Sequence, residues 1–369
     1  MTGEQEGNNM PKTIGRRTSR RIVWVDYAKG LAIIGVFVLH SNAPENVINV
    51  VSMFCMPVFF LLSGFVFSIR KYSSFLLFLW NKLQTLVFPG LFFAVVPFAI
   101  ERIVRTVIGD AWTLGAYAKW VAGYAINMRG REGYGDIPWF LTCLFLIEVG
   151  GYVLLKLTGR FHFLEWEFVA VGVVSVVIGY AYSKLVHIVL PWGGDVSLSM
   201  FGFFVFGYAL RGRQNRLERL LHPLTIVPAL ALLIGVALLN VRQSVNVYMN
   251  EYGNIIWYLV GAFCGLWIVL TVCVGLSRIL THKLPVRLVN YWGQNTLVFY
   301  CVNASIYRSL IPFILTAVGF NVDGSSVADQ LLCMTGAIVI NLLVCSAVAG
   351  VVNRWLPGVL GRKRMVTTR

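Results

Sequence analysis

The first apolar stretch of the chain, RIVWVDYAKGLAIIGVFVLH from Arg21 to His40, holds Asp26, Lys29 and His40 in an otherwise hydrocarbon-like run. These are an acid, a base and an imidazole, the side-chain types that hold charged groups and move protons. A charge near a bilayer centre costs about 3 kcal/mol on insertion scales, so such residues face a cavity or a partner. The eleven positions from Lys29 to His40 span three helical turns, about 16 Å, and return close to the same azimuth. The two therefore share one face. Asp26, three residues before Lys29, is spaced to pair with it and lower the cost of burying either charge. Spacing alone equally allows a snorkelling ion pair at the inner interface and an interfacial histidine at the other end.

The elements that must position these groups are transmembrane helices. Hydrophobic residues form 57% of the chain and charged residues 13%, and several segments approach the roughly 20 apolar residues that cross a bilayer. The expected fold is an all-α polytopic membrane protein of about ten helices. The spans fall near 22–40, 50–69, 75–100, 137–158, 164–190, 197–212, 222–241, 254–280, 289–315 and 329–353, with 197–212 short and glycine-rich. The first segment carries Asp26 and Lys29 and lacks a small-residue cleavage pattern, so it is expected to stay as a span. With the N-terminus in the cytoplasm, the RRTSRR, RGRQNRLER (211–219) and GRKR clusters all fall inside. This follows the positive-inside rule and accounts for the +15 net charge without nucleic acid, because the cations are spread over short loops.

The 101–136 connection is the exception, an outer segment with Arg102, Arg105, Lys119, Arg129 and Arg131. Its Trp112, Tyr117, Trp120 and Tyr124 suit an interfacial helix with rings at the headgroup level. The following GREGYGDIPWF, which includes Trp139, offers alternatively a cavity rim with stacking faces for sugars. Glu148 lies deep in a span, where an unpaired carboxylate is expensive, and calls for a buried cation or water. Pro57 and Gly64 are expected to kink or loosen the second span. The seven cysteines lie in apolar spans and read as buried, reduced hydrophobes. His40, His162, His187, His222 and His282 are scattered, and no metal-ligand, P-loop or dinucleotide spacing is present. Residues 1–20 and the basic end of the 356–369 tail are expected to be disordered, and no internal repeat is evident.

The runs DYAKGLAIIGVFVLH, MPVFFLLSGFVFS, IPWFLTCLFLIEV and NYWGQNTLVFYCVNASIY resemble the membrane acyltransferase-3 family, in particular its fucose 4-O-acetylase-like branch. The resemblance covers about residues 21–355. It implies an inner-membrane enzyme of about ten helices around a central polar cavity, with both termini cytoplasmic. Its reaction takes an acyl group, usually acetyl from acetyl-CoA, to a hydroxyl of an envelope or extracellular polysaccharide or its lipid-linked precursor. No permanently bound cofactor is implied. By position, His40 matches the essential histidine and Lys29 the basic residue, commonly arginine, three turns before it. Asp26 is then the partner of Lys29. Lys29, Arg70, Lys71 and Lys82 are placed to hold CoA phosphates, Ser63, Gly64, Trp139 and Asn303 to line the substrate cavity, and Glu148 to take a second catalytic role. The chain departs from the pattern at Cys55 and Asn303, where relatives often have histidine, and at Asn81-Lys82, where some have a basic cluster. Two further readings remain open: a transporter or flippase of a lipid-linked sugar using the same charges as a path, and a non-catalytic assembly subunit.

Overall fold

The computed structural model describes residues 21–110, 112–161, 165–240, 245–279, 283–309, 311–322, 324 and 326–362. The fold is all-helical, 81% helix, with no strands among the described residues. The helices are α1 (Val23–Leu39), α2 (Glu45–Val66), α3 (Phe75–Lys82), α4 (Phe88–Val107), α5 (Leu114–Ile126), α6 (Trp139–Phe161), α7 (Glu165–Leu185) and α8 (Gly194–Arg211). They continue as α9 (Gln214–Leu220), α10 (Ile226–Asn240), α11 (Ile255–Ile279), α12 (Leu284–Gln294), α13 (Thr296–Ser309), α14 (Ile311–Ala317) and α15 (Val327–Trp355).

All ten expected segments contain helix, but among the described residues eight are long and apolar enough to cross a membrane. The two that fall short do so for separate reasons. At 17 residues, α1 spans about 25 Å, less than the roughly 30 Å hydrocarbon core. Segment 289–315 is interrupted at Asn295 and continues as α12, α13 and α14. Backbone groups freed at such a break need partners, and Asn295 supplies them. Its amide N–H donates to Trp292 O at 3.1 Å, its Nδ2 donates to Tyr291 O at 2.8 Å, and its Oδ1 accepts from Asn353 of α15 at 2.8 Å.

Helix α1 is enclosed by α2, α11, α12, α13 and α15, while α2 also packs on α8 and α10. Both faces of these two helices are therefore apolar, and Ala28, Ile33, Phe37, Val58, Phe60 and Leu62 are buried. By contrast α7, α10 and α15 leave most of their apolar side chains outward, the surface expected against lipid. The glycines of the short 197–212 segment serve close packing. A Cβ on Gly207 would lie 1.9 Å from Leu61 O, and one on Gly64 would lie 1.8 Å from Phe204 O. Hence α2 and α8 meet backbone to backbone. Helix α2 runs on through Pro57 from Glu45 to Val66.

The 75–100 segment extends to Val107 and carries a π-helical turn, Leu83–Val87, between α3 and α4. In the 101–136 connection α5 forms as expected, and its Trp120 stacks on Phe98 of α4 with centroids 4.6 Å apart. The first part of the basic tail is docked: Pro357–Leu360 form a 3-10 turn, and Arg362 donates to Gln294 O at 3.0 Å and to Asn353 Oδ1. Residues 1–20, His162, His282 and 363–369 lie outside the described residues.

Candidate active site

Four helices converge on a cavity of about 220 Å³, with Lys29 from α1, Ser63 from α2, Glu148 from α6 and Tyr300 from α13 among its lining. Met56, Phe59, Val66, Phe140, Thr296 and several leucines form the rest. A small number of polar groups in an apolar cleft is the composition of small-molecule sites. Glu148 is buried, as its depth in the span requires, and meets Lys82 Nζ at 2.8 Å. That contact is an ion pair outside hydrogen-bonding geometry, because Glu148 Oε2 has no hydrogen-bond partner. The Lys82 ammonium also lies 5.8 Å and 5.7 Å from the Phe67 and Phe78 ring centroids, within cation–π reach. The π turn starts at the next residue, and such turns recur at functional sites because they re-aim side chains.

Asp26 does not pair with Lys29. Its carboxylate accepts from Arg21, Nε to Oδ2 at 2.5 Å and Nη2 to Oδ1 at 3.1 Å. The two-pronged guanidinium fits a carboxylate better than a single ammonium. Helix α12 presses on the α1 backbone at Asp26, where a Gly293 Cβ would lie 1.8 Å from Asp26 O, and Lys29 lines the cavity. Lys29 remains in electrostatic range of Asp26 and Glu148. No carboxylate among the described residues comes within ion-pair distance of it. Near the start of α1, burial and the neighbouring Arg21 lower the pKa of Arg362.

His40 stands at the C-cap of α1, exposed, and does not line this cavity. Its Nδ1 is 2.8 Å from Val36 O. A carbonyl oxygen only accepts, so Nδ1 carries the hydrogen and in the neutral ring Nε2 holds the lone pair. Ser63 lines this cavity, whereas Gly64 faces the α8 backbone. A glycine in a span signals both a weak point and a close approach, and here the second applies. Arg70 and Lys71 are exposed in the turn after α2, away from the cavity, with Lys71 over the Tyr72 ring. Trp139 opens α6 and meets Phe140 and Tyr248 edge-on; its neighbour Phe140 does the lining. Asn303 is buried on α13, and its Oδ1 has no hydrogen-bond partner.

Residues 22–350 match the family model described as an acyltransferase domain. The chain belongs to the acyltransferase-3 family. Searches of curated proteins and of solved structures return no match. With its apolar helices, the chain is thus a membrane acyltransferase.

Sequence reasoning missed two features of this acyltransferase. Tyr300 reaches the cavity and accepts a hydrogen bond from Phe140 N at 3.3 Å, and nothing in its apolar surroundings marked it. In the sequence Arg129 shows only as a basic residue of a connection, yet it forms a two-pronged pair with Asp195 at 2.9 Å and 2.6 Å. Both side chains are 3% exposed. Asn127 builds the turn that delivers Arg129, at φ 47°, donating to Thr142 Oγ1 at 2.9 Å and accepting from Ile137 N at 2.7 Å. The carboxylate just before the apolar run of α8 was the available signal.

Proposed function

We propose that this acyltransferase moves an acetyl group from acetyl-CoA to a sugar hydroxyl of an envelope or extracellular polysaccharide or its lipid-linked precursor, as in the fucose 4-O-acetylase-like branch. The protein works in the cytoplasmic membrane with both termini inside. The observation that carries this reading is the charge balance at the cavity. At the cavity Lys29 stands beside Glu148, which already pairs with Lys82, and among the described residues no carboxylate lies at ion-pair distance of Lys29. A water-poor site with a spare cation favours a ligand that brings anionic or strongly polarised oxygen.

In this reading the donor enters from the α2–α3 turn, where Arg70 and Lys71 meet its phosphates, and passes Lys29. The His40 imidazole then acts at the far end of α1. Its Nε2 takes the proton of the sugar hydroxyl as the oxygen attacks the thioester carbonyl. The new C–O bond forms, the C–S bond breaks, and the CoA sulfur leaves as thiolate and takes up a proton. Glu148 holds the cavity cations in place through Lys82, Asp26 anchors the start of α1 through Arg21, and Ser63 and Asn303 offer polar contacts to the substrates.

The test is acetyl transfer by purified protein in lipid, with labelled acetyl-CoA and a glycan acceptor. His40→Ala is expected to lose about 10²–10⁴ in rate, the usual contribution of a general base, with expression and insertion unchanged. An Ala variant that matches the wild type removes His40 from the mechanism. A wild type that transfers nothing but carries lipid-linked sugar across the bilayer replaces this reading by transport.

A further inference from the structure

Away from the Lys29 cavity, the last turns of α4 and the start of α5 flank an open groove of about 670 Å³, lined by Phe98, Ala99, Arg102, Ile103, Val107 and Tyr117 among others. Among the described residues Arg102 is the only charge in that lining, and it is 6% exposed. Its guanidinium is stacked 4.4 Å from the centroid of the Trp112 ring, which fixes its plane. Its Nη2 meets Asp110 Oδ2 at 3.3 Å, but its Nη1 is buried with no hydrogen-bond partner among the described residues. An unpaired guanidinium N–H in an apolar wall is costly unless an acceptor arrives. Asp110 is a loose counter-ion: it is half exposed and divided between Arg102 and Arg105, at 3.3 Å and 3.5 Å.

The surroundings identify the acceptor. Ile100, Ile103, Val104 and Val107 are exposed on α4 next to the pocket, so in a bilayer hydrocarbon chains cover that face. These residues close the end of a span, the level where lipid phosphates lie. We propose that this pocket is a lipid site: the phosphate of an anionic bilayer lipid binds Arg102 Nη1 and displaces Asp110, while its chains follow the apolar face of α4. Guanidinium and phosphate match in geometry and charge. The proposal does not depend on the acyl-transfer reading, since it uses none of that site's residues.

Native mass spectrometry of the full chain in neutral detergent, titrated with phosphatidylglycerol, reads the site as one retained lipid. Diacylglycerol with the same chains and inorganic phosphate serve as the comparison probes. The expected result is retention of phosphatidylglycerol over diacylglycerol, with inorganic phosphate failing to displace it at millimolar concentration. Arg102→Gln is expected to weaken that binding event about tenfold or more. Asp110→Asn removes the competing carboxylate at a half-exposed position and is expected to tighten it, which keeps the test alive if Arg102→Gln does not fold. Equal retention of the two lipids, displacement by inorganic phosphate, wild-type binding by Arg102→Gln, or unchanged or weaker binding by Asp110→Asn would each overturn the proposal.

Discussion

Removing one member of the Lys82–Glu148 pair tests why the chain keeps charges beside an apolar cavity. The two side chains are 15% and 10% exposed, so the pair behaves as buried, and breaking such a pair costs about 3–5 kcal/mol. The two single substitutions are not equivalent. Glu148→Gln strands Lys82, but the Phe67 and Phe78 rings remain near its ammonium and offset about 1 kcal/mol. Its loss is expected at about 2–4 kcal/mol. Lys82→Met strands a carboxylate that stays in electrostatic range of Lys29, across the cavity, and is expected to cost about 3–5 kcal/mol. The double variant leaves two neutral side chains of similar size, an apolar thioether and an amide, and is expected to lose about 1–2 kcal/mol, because no charge is stranded and only the amide needs partners. Unfolding in mixed detergent, followed by intrinsic fluorescence, gives the four stabilities of the cycle. Acetyl transfer should not recover with stability in the double variant if the pair serves chemistry. Losses additive to within about 0.5 kcal/mol refute the coupling, and a double variant with wild-type transfer refutes the catalytic purpose.

The other expectations are more local. His40→Gln keeps polarity and approximate size without a titrating nitrogen, and is expected to remain folded while losing acetyl transfer to the same degree as His40→Ala, measured by label incorporation into glycan. Gly64→Ala forces its new methyl onto the Phe204 carbonyl and should destabilise by about 1–3 kcal/mol or more, seen as a lower melting temperature; an unchanged one would mean α2 and α8 are not in backbone contact. Asp195→Ala leaves the Arg129 guanidinium buried alone and is expected to cost about 3–5 kcal/mol, whereas Arg129→Met with Asp195→Leu recovers most of it; a double variant no better than the single would refute that account. Single cysteines at 211–219 should be shielded from an impermeant thiol reagent in intact cells and those at 112–120 labelled, and the reverse pattern would invert the orientation.

The helices were legible because their apolar runs are long, and Glu148 was legible because a buried carboxylate demands a cation. Where the reading went astray, local spacing stood in for packing. Asp26 and Lys29 are three residues apart and look like partners, but Arg21, just outside the apolar run, has the better fork. The break at Asn295 shows in the sequence only as a polar dip of Asn290, Gln294, Asn295 and Thr296 inside the 289–315 run, and spacing gives no sign that it is held by Asn353, 58 residues away. Arg129 and Asp195 are 66 residues apart, and a basic residue in a loop gives no sign that a helix start will bury it.

These long-range contacts also explain how α1 can be short and still central. The groups that give it chemistry sit at three levels: Asp26 with Arg21 at its start, Lys29 at the cavity, and His40 past its last turn. A 17-residue helix reaches these levels because its neighbours close around it rather than because it spans the bilayer alone. Gly30 meets the Val289 backbone and Gly293 meets Asp26 O, so α12 is held against the lower half of α1. The α12–α13 break then redirects the chain so that Thr296 and Tyr300 reach the cavity. Docking of Arg362 on Gln294 and Asn353 braces the same break from the tail. The position of Lys29 thus depends on residues from both ends of the chain, which is why the family domain must extend over nearly the whole of it.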